Sequence, residues 1–81
     1  MTESKIQHVP IRFVRLPAVM ELTGLSRSSI YARIKEGRFP TAVPLGGRAV
    51  GWVEAEVHRW IRERVAEARP IPTYMQLAQA A

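Results

Sequence analysis

Thr23-Gly24-Leu25-Ser26-Arg27-Ser28-Ser29-Ile30-Tyr31-Ala32-Arg33-Ile34-Lys35-Glu36-Gly37 is the stretch whose reading decides the fold. Gly24 is placed to end one helix, because glycine takes the left-handed conformation that closes a last turn without steric cost. Ser26 is placed to start the next, its hydroxyl accepting a backbone N–H of the first turn. Ser29 stands where a full capping box has Glu or Gln. The second helix therefore spans residues 27–36, with Gly37 as its stop. Ile30 and Ile34, four apart, define its buried face. At 100° per residue, Ser28, Ala32 and Lys35 fall opposite, and Ser29, Tyr31 and Arg33 fall on the flanks.

Outward from this stretch, Pro17 suits the first position of a preceding helix, where its missing N–H is no loss. That helix runs to Thr23, with Val19 and Leu22 on one apolar face and Leu16 just ahead. Residues 11–16, Ile-Arg-Phe-Val-Arg-Leu, have strand-like character, with imperfect alternation. Downstream, Phe39-Pro40 ends the helical pattern. Residues 41–45 and 48–52 read as two strands joined at Gly46-Gly47, a pair suited to a tight turn needing positive φ. Pro44 cannot donate a ladder hydrogen bond, so its strand is expected at an edge or with a bulge. A third helix is expected from about Val53 to Arg69. Its stripe is Val53, Val57, Trp60, Ile61, Val65 and Ala68, with no residue at its start able to cap it. Residues 1–10 are expected to be a flexible lead, 11–69 the folded domain, and 70–81 an uncharged tail, disordered or an oligomer contact.

The 81 residues carry 12 Lys and Arg against 7 Glu, a net charge of +5. That excess has an address. Residues 12–48 hold Arg12, Arg15, Arg27, Arg33, Lys35, Arg38 and Arg48 against Glu21 and Glu36, and every other segment balances. A cationic excess confined to one segment points to a polyanion, and guanidinium forks favour phosphate and guanine over a generic anionic surface. There is no cysteine, which excludes disulfides, thiolate chemistry and cysteine-based zinc sites. No apolar run approaches the ~18 residues that cross a bilayer, and the first residues lack the apolar core of a signal peptide. These features lead to the expectation of a cytoplasmic, nucleoid-associated protein.

Two short helices joined by a three-residue turn, the second basic, match a helix-turn-helix. A helix about 10–12 Å across fits the major groove of B-DNA, about 12 Å wide. The hairpin then forms a wing. The sequence thus predicts a mainly α winged helix-turn-helix, three helices plus a small β-hairpin, with double-stranded DNA as partner. The candidate contacts on the recognition helix are Arg27, Ser28, Ser29, Tyr31, Ala32, Arg33 and Lys35. Tyr31 has two readings: a half-packed ring beside Ile34, or a phosphate contact. On the wing and flanks the candidates are Gly46, Gly47, Arg48, Arg12 and Arg15. Most hydrogen bonds in such interfaces go to phosphate, so a part of this set positions the protein and the remainder reads bases or stays solvated.

Arg15-Leu16-Pro17-Ala18-Val19, Thr23-Gly24-Leu25-Ser26-Arg27-Ser28-Ser29-Ile30-Tyr31, Ile34-Lys35-Glu36-Gly37-Arg38-Phe39-Pro40 and Leu45-Gly46-Gly47-Arg48-Ala49-Val50-Gly51-Trp52 together resemble the AlpA-type prophage regulators. These are similar to phage excisionases and share the MerR-like winged-helix fold. The resemblance covers roughly residues 12–66 and rests on an ordered set of motifs. It implies a DNA-binding protein of a prophage or integrative element that regulates integrase-linked genes, acts as an excisionase, or does both. It places the recognition helix at 27–37 and the wing at 45–50. It also implies a recombinase partner, cooperative binding at adjacent sites, self-association on DNA and DNA bending. One departure is the absence of a polar cap after Trp52.

Competing readings of the same residues are blander. Ile30, Ile34, Phe39, Trp52, Trp60 and Ile61 are expected in the core rather than at a ligand. Arg59, Arg62 and Arg64, among four glutamates, read as a balanced solvated face. His8 and His58 lie 50 residues apart with no Cys or Asp to join them, so neither a metal nor a cofactor is expected. The serines lack a neighbouring base, and Gly46-Gly47 lacks the Lys-Ser/Thr of a phosphate loop, so no enzyme is expected. Two rivals share the basic face: a winged helix that positions DNA for packaging or plasmid maintenance, and a protein-interaction module meeting an acidic partner.

Overall fold

The structure, a computed structural model, describes residues 11–69. The expectations for the lead at 1–10 and the tail at 70–81 lie outside the described residues. The elements in chain order are β1 (Phe13–Val14), α1 (Leu16–Thr23), α2 (Arg27–Lys35), β2 (Val43–Gly46), β3 (Ala49–Val53) and α3 (Glu54–Ala68). The three strands form one antiparallel sheet in the order β1-β3-β2. This is a winged helix-turn-helix: three helices and a small sheet whose β2–β3 hairpin is the wing.

The turn between α1 and α2 is built as its sequence dictates. Gly24 sits at φ 74°, and its N–H bonds the Met20 carbonyl at 2.8 Å. Thr23 reinforces it, donating from Oγ1 to the Val19 carbonyl (2.8 Å) and accepting the Leu25 N–H (3.1 Å). Ser26 Oγ accepts the Ser29 N–H at 3.2 Å, which caps α2. The other end of α2 closes with Gly37 at φ 75°. The Gly37 N–H bonds the Ile34 carbonyl and the Arg38 N–H bonds the Arg33 carbonyl, at 3.0 and 2.8 Å. That crossed pair is a Schellman motif, and it needs a left-handed residue at the position Gly37 holds.

Five side chains form the core: Val19 of α1, Ile30 of α2, Phe39 of the following loop, Trp52 of β3 and Val57 of α3. Each helix contributes one and the sheet contributes one, so the core fixes the pose of α2 against everything else. Burying a side chain of the Val or Ile kind contributes about 1.5–3 kcal/mol. The two indoles also tie down the segment after α2. Trp52 Nε1 donates to the Pro40 carbonyl at 3.0 Å and Trp60 Nε1 to the Arg38 carbonyl at 2.8 Å. Phe39, between them, meets Trp60 edge-on at 4.8 Å between centroids. Ile34, Trp60 and Ile61 pack against this core while remaining half-buried.

Several details differ from the sequence expectation. Only Phe13–Val14 of the 11–16 stretch forms a strand, because β1 pairs β3 at Val53 and Trp52 alone before α1 begins. The hairpin tip is Gly47-Arg48 rather than Gly46-Gly47. Gly46 pairs Ala49, and a register shift between Pro44 and Gly46 places a bulge at Leu45 that moves the turn on by one residue. Pro44 accordingly lies on an edge strand that bulges, as its missing N–H requires. Leu22, expected on the buried face of α1, is 39% exposed, and Val65, expected in the α3 stripe, is 50% exposed. Ala68 is also exposed. The helix α3 extends past the end of the core, so the stripe persists where there is nothing left to cover it.

Candidate nucleic-acid interface

Helix α2 presents one continuous exposed stripe. Arg27, Ser28, Tyr31, Ala32 and Lys35 recur at spacings of one and four, and all five are exposed, while Ile30 behind them is fully buried. The stripe combines two cations, a hydroxyl, a phenol and a methyl, the side-chain types that meet phosphates, base edges and thymine methyl groups. Neither Arg27 nor Lys35 has a carboxylate within ion-pair distance among the described residues.

Two candidates on this helix are turned elsewhere. Arg33 is half-buried, and its guanidinium reaches back to the Ser29 carbonyl at 3.5 Å. Ser29 is half-buried too, with its N–H held by the Ser26 cap. Both lie on the flank of α2, between the exposed stripe and the core. Tyr31 is half-packed, and the neighbour its ring meets is Trp52. The residue is 39% exposed, yet its ring meets Trp52 edge-on at 6.2 Å, with the planes at 65°. The Arg27 guanidinium carbon lies 5.8 Å from the centroid of the same ring.

The wing presents a second feature. Gly47 has φ 58° while Arg48 keeps an ordinary negative φ, the pattern of a type II′ two-residue turn. Arg48 therefore occupies the tip itself, exposed, rather than standing beside it. Gly46, at φ 112°, precedes it at the last position of β2. Strand β3 links the two features: Ala49 leaves the tip, and Trp52, three residues on and about 10 Å along the strand, carries Tyr31.

The flank candidates separate. Arg15 is exposed at the N-cap position of α1 and has no ion-pair partner among the described residues. Arg12 is engaged: its Nε lies 3.3 Å from Glu54 Oε1, and its carbonyl accepts the Glu54 N–H at 2.8 Å. This pair sits at the α3 end of β3, the end opposite the wing tip. Glu54 also faces His58, with Nε2 at 3.7 Å, so the α3 N-terminus lacking a side-chain cap is instead held through its own glutamate. The Arg12–Glu54 contact was not legible in the sequence, because the two residues lie 42 positions apart and meet only through the β1–β3 pairing.

Comparison with known proteins places these residues in a family. A family model described as "Prophage CP4-57 regulatory protein (AlpA)" matches residues 12–65, from β1 into the last turns of α3. An uncharacterized protein of Enterobacteria phage P4, ORF88, is 53% identical over 55 residues, covering 68% of this chain and 62% of that protein. The chain thus spans less than two thirds of that phage protein's length. The DNA-binding transcriptional activator AlpA of Escherichia coli K12 is 38% identical over 60 residues, covering 67% of this chain and 86% of that protein. No solved structure matches the chain. On the extent of these matches, the chain belongs to the AlpA family of prophage regulatory proteins.

Proposed function

We propose that this chain is a sequence-specific DNA-binding regulator of a prophage or integrative element, placing α2 in the major groove and the β2–β3 wing against the adjacent backbone. The observation that carries this reading is the exposed stripe on α2, whose cations have no ion-pair partner among the described residues, set on a core that fixes the helix and accompanied by Arg48 at the tip of a tight wing. The Escherichia coli relative, a DNA-binding transcriptional activator, supports it. Within this reading Arg27, Ser28, Tyr31, Ala32 and Lys35 face the groove, and Arg48 and Arg15 hold phosphates. Ser29 and Arg33 act mainly in building and flanking the helix. The protein regulates integrase-linked genes, acts as an excisionase, or both, by binding adjacent sites cooperatively and bending DNA for a recombinase. A single module of this kind buries on the order of 600–1,000 Å², so neighbouring copies are needed for tight occupancy. Among the described residues, no helix is long and apolar enough to cross a membrane.

Anisotropy titrations against duplexes from the element's own regulatory region, over a range of salt concentrations, test this. With about five phosphate contacts, log K falls against log salt with a slope of about −4 to −5. Footprints on the same DNA give the site, its repeat spacing and any bend. A flat salt response with no preference over random duplex would instead favour an acidic protein partner for the basic face.

A further inference from the structure

We propose that Tyr31 is a positioning residue that aims Arg27 at a guanine in the major groove, an inference that rests on the DNA-reading assignment above. Arg27, in the first turn of α2, is the arginine on the exposed stripe, whereas the helix's other arginine, Arg33, is drawn back to the Ser29 carbonyl. Its guanidinium lies over the Tyr31 ring at 5.8 Å, within the range where the ring's negative face attracts a cation. That ring is itself anchored. It meets the fully buried Trp52 edge-on, and Trp52 is fixed in turn by the hydrogen bond from its Nε1 to the Pro40 carbonyl. A chain of contacts therefore runs from the core to the arginine: Pro40, Trp52, Tyr31, Arg27.

The physical effect is preorganisation. A long arginine side chain loses rotamer freedom when it docks, and holding it on an aromatic face before docking reduces that loss. A guanidinium whose face rests on a ring keeps its edge open. That edge carries the paired N–H donors that match guanine O6 and N7. The N-terminal half of a recognition helix is also the part that reaches base edges in a helix-turn-helix. Stacking thus leaves Arg27 able to read a base while limiting the directions in which it can reach.

Selection from a randomised duplex pool tests this, carried out in parallel with the wild-type protein and with Tyr31→Phe, Tyr31→Leu and Arg27→Ala. The wild type enriches a site with a guanine column favoured by roughly 5- to 100-fold over the other bases. Arg27→Ala flattens that column and leaves the other columns in place. Tyr31→Leu keeps apolar bulk against Trp52 but has no ring face, and narrows the same column by roughly two- to fivefold, the effect of one exposed cation–π contact. Tyr31→Phe keeps the face, loses the hydroxyl and retains the preference, which separates aiming from a phosphate contact by the phenol. Thermal melts of each variant exclude loss of fold as the cause. The proposal is overturned if Tyr31→Leu leaves the guanine column unchanged in a folded protein. It is equally overturned if Tyr31→Leu or Arg27→Ala lowers all columns together, or if Tyr31→Phe behaves as Tyr31→Leu does. Failure of the wild type to enrich any sequence would overturn the DNA-reading assignment itself, a result distinct from an enriched site that ignores Tyr31.

Discussion

Helix α2 and helix α3 are both rich in arginine, and they differ in what those arginines face. On α3, the Arg64 guanidinium lies 2.8 Å from Glu67 Oε2 and 5.6 Å from the Trp60 ring centroid, and Glu54 gathers both Arg12 and His58. On α2, Arg27 lies over an aromatic ring and Lys35 points out, with no carboxylate within ion-pair distance of either among the described residues. The nearest acid in sequence, Glu36, is engaged by Arg38 at 3.4 Å. A cation already beside a carboxylate gives up part of that attraction when it turns to a phosphate, and an unpaired one gives up only water. On the reading proposed above, α2 and the wing tip face DNA and α3 does not, although on α3 only Arg64 is paired and Arg59 and Arg62 have no ion-pair partner among the described residues.

The largest effect expected from this contrast comes from removing cations on one side and then on the other. Replacing Arg15, Lys35 and Arg48 together with alanine, two phosphate holders and one groove-facing cation, should weaken binding on the order of 100-fold at moderate salt and make the salt slope shallower by about two to three. The matching triple change at Arg59, Arg62 and Arg69 should leave the slope where it was. Equal losses from the two sets, measured by anisotropy on one duplex, would erase the distinction between the helices.

A smaller effect sharpens the contrast through the backbone. Gly24 holds φ 74° in open space, where an added Cβ would meet nothing within 4 Å. The cost of Gly24→Val is therefore conformational, about 1–2 kcal/mol for a branched residue in the left-handed region. A domain of this size should then melt on the order of 10 °C lower. The turn sets α2 and not α3, so operator affinity should fall further than the unfolded fraction explains. A melt shift with unchanged affinity of the folded fraction would show that α2 docks independently of its turn.

The parts of this arrangement legible in the sequence are those written in neighbouring residues. Gly24 closes α1, and Ser26 and Gly37 bound α2, through contacts no more than five positions away, and their chemistry specifies the bonds they make. Ile30 followed from helical periodicity for the same reason. The wing was legible in kind and shifted by one residue, because the bulge at Leu45 depends on how β2 packs over β3. An added Cβ at Gly51 would lie 3.0 Å from Leu45 Cδ1 and 3.4 Å from Phe13 Cβ, so Leu45 sits directly over that glycine. What single-residue patterns could not supply is partnership across the chain. The indole bonds to Arg38 and Pro40 span 22 and 12 positions. Counting charge along the chain placed Arg12 with the basic segment, whereas the β1–β3 pairing carries it to Glu54.

Arg12 consequently gives the smallest and most discriminating test. Its side chain is 70% exposed and its glutamate partner 25% exposed, so the pair is worth at most about 1 kcal/mol after solvent screening. Arg12→Ala should lower the melting temperature by only a few degrees and leave the salt slope of DNA binding unchanged, since the guanidinium belongs to the α3 side. Glu54→Gln keeps the side chain's size and its polar contact but removes the charge. It should cost a similar small amount of stability and release Arg12 as an unpaired cation at the end of β3 opposite the wing tip. If Arg12 instead holds a phosphate, Arg12→Ala makes the slope shallower by about one, and the boundary between the two faces then runs through α3's first turn rather than ahead of it.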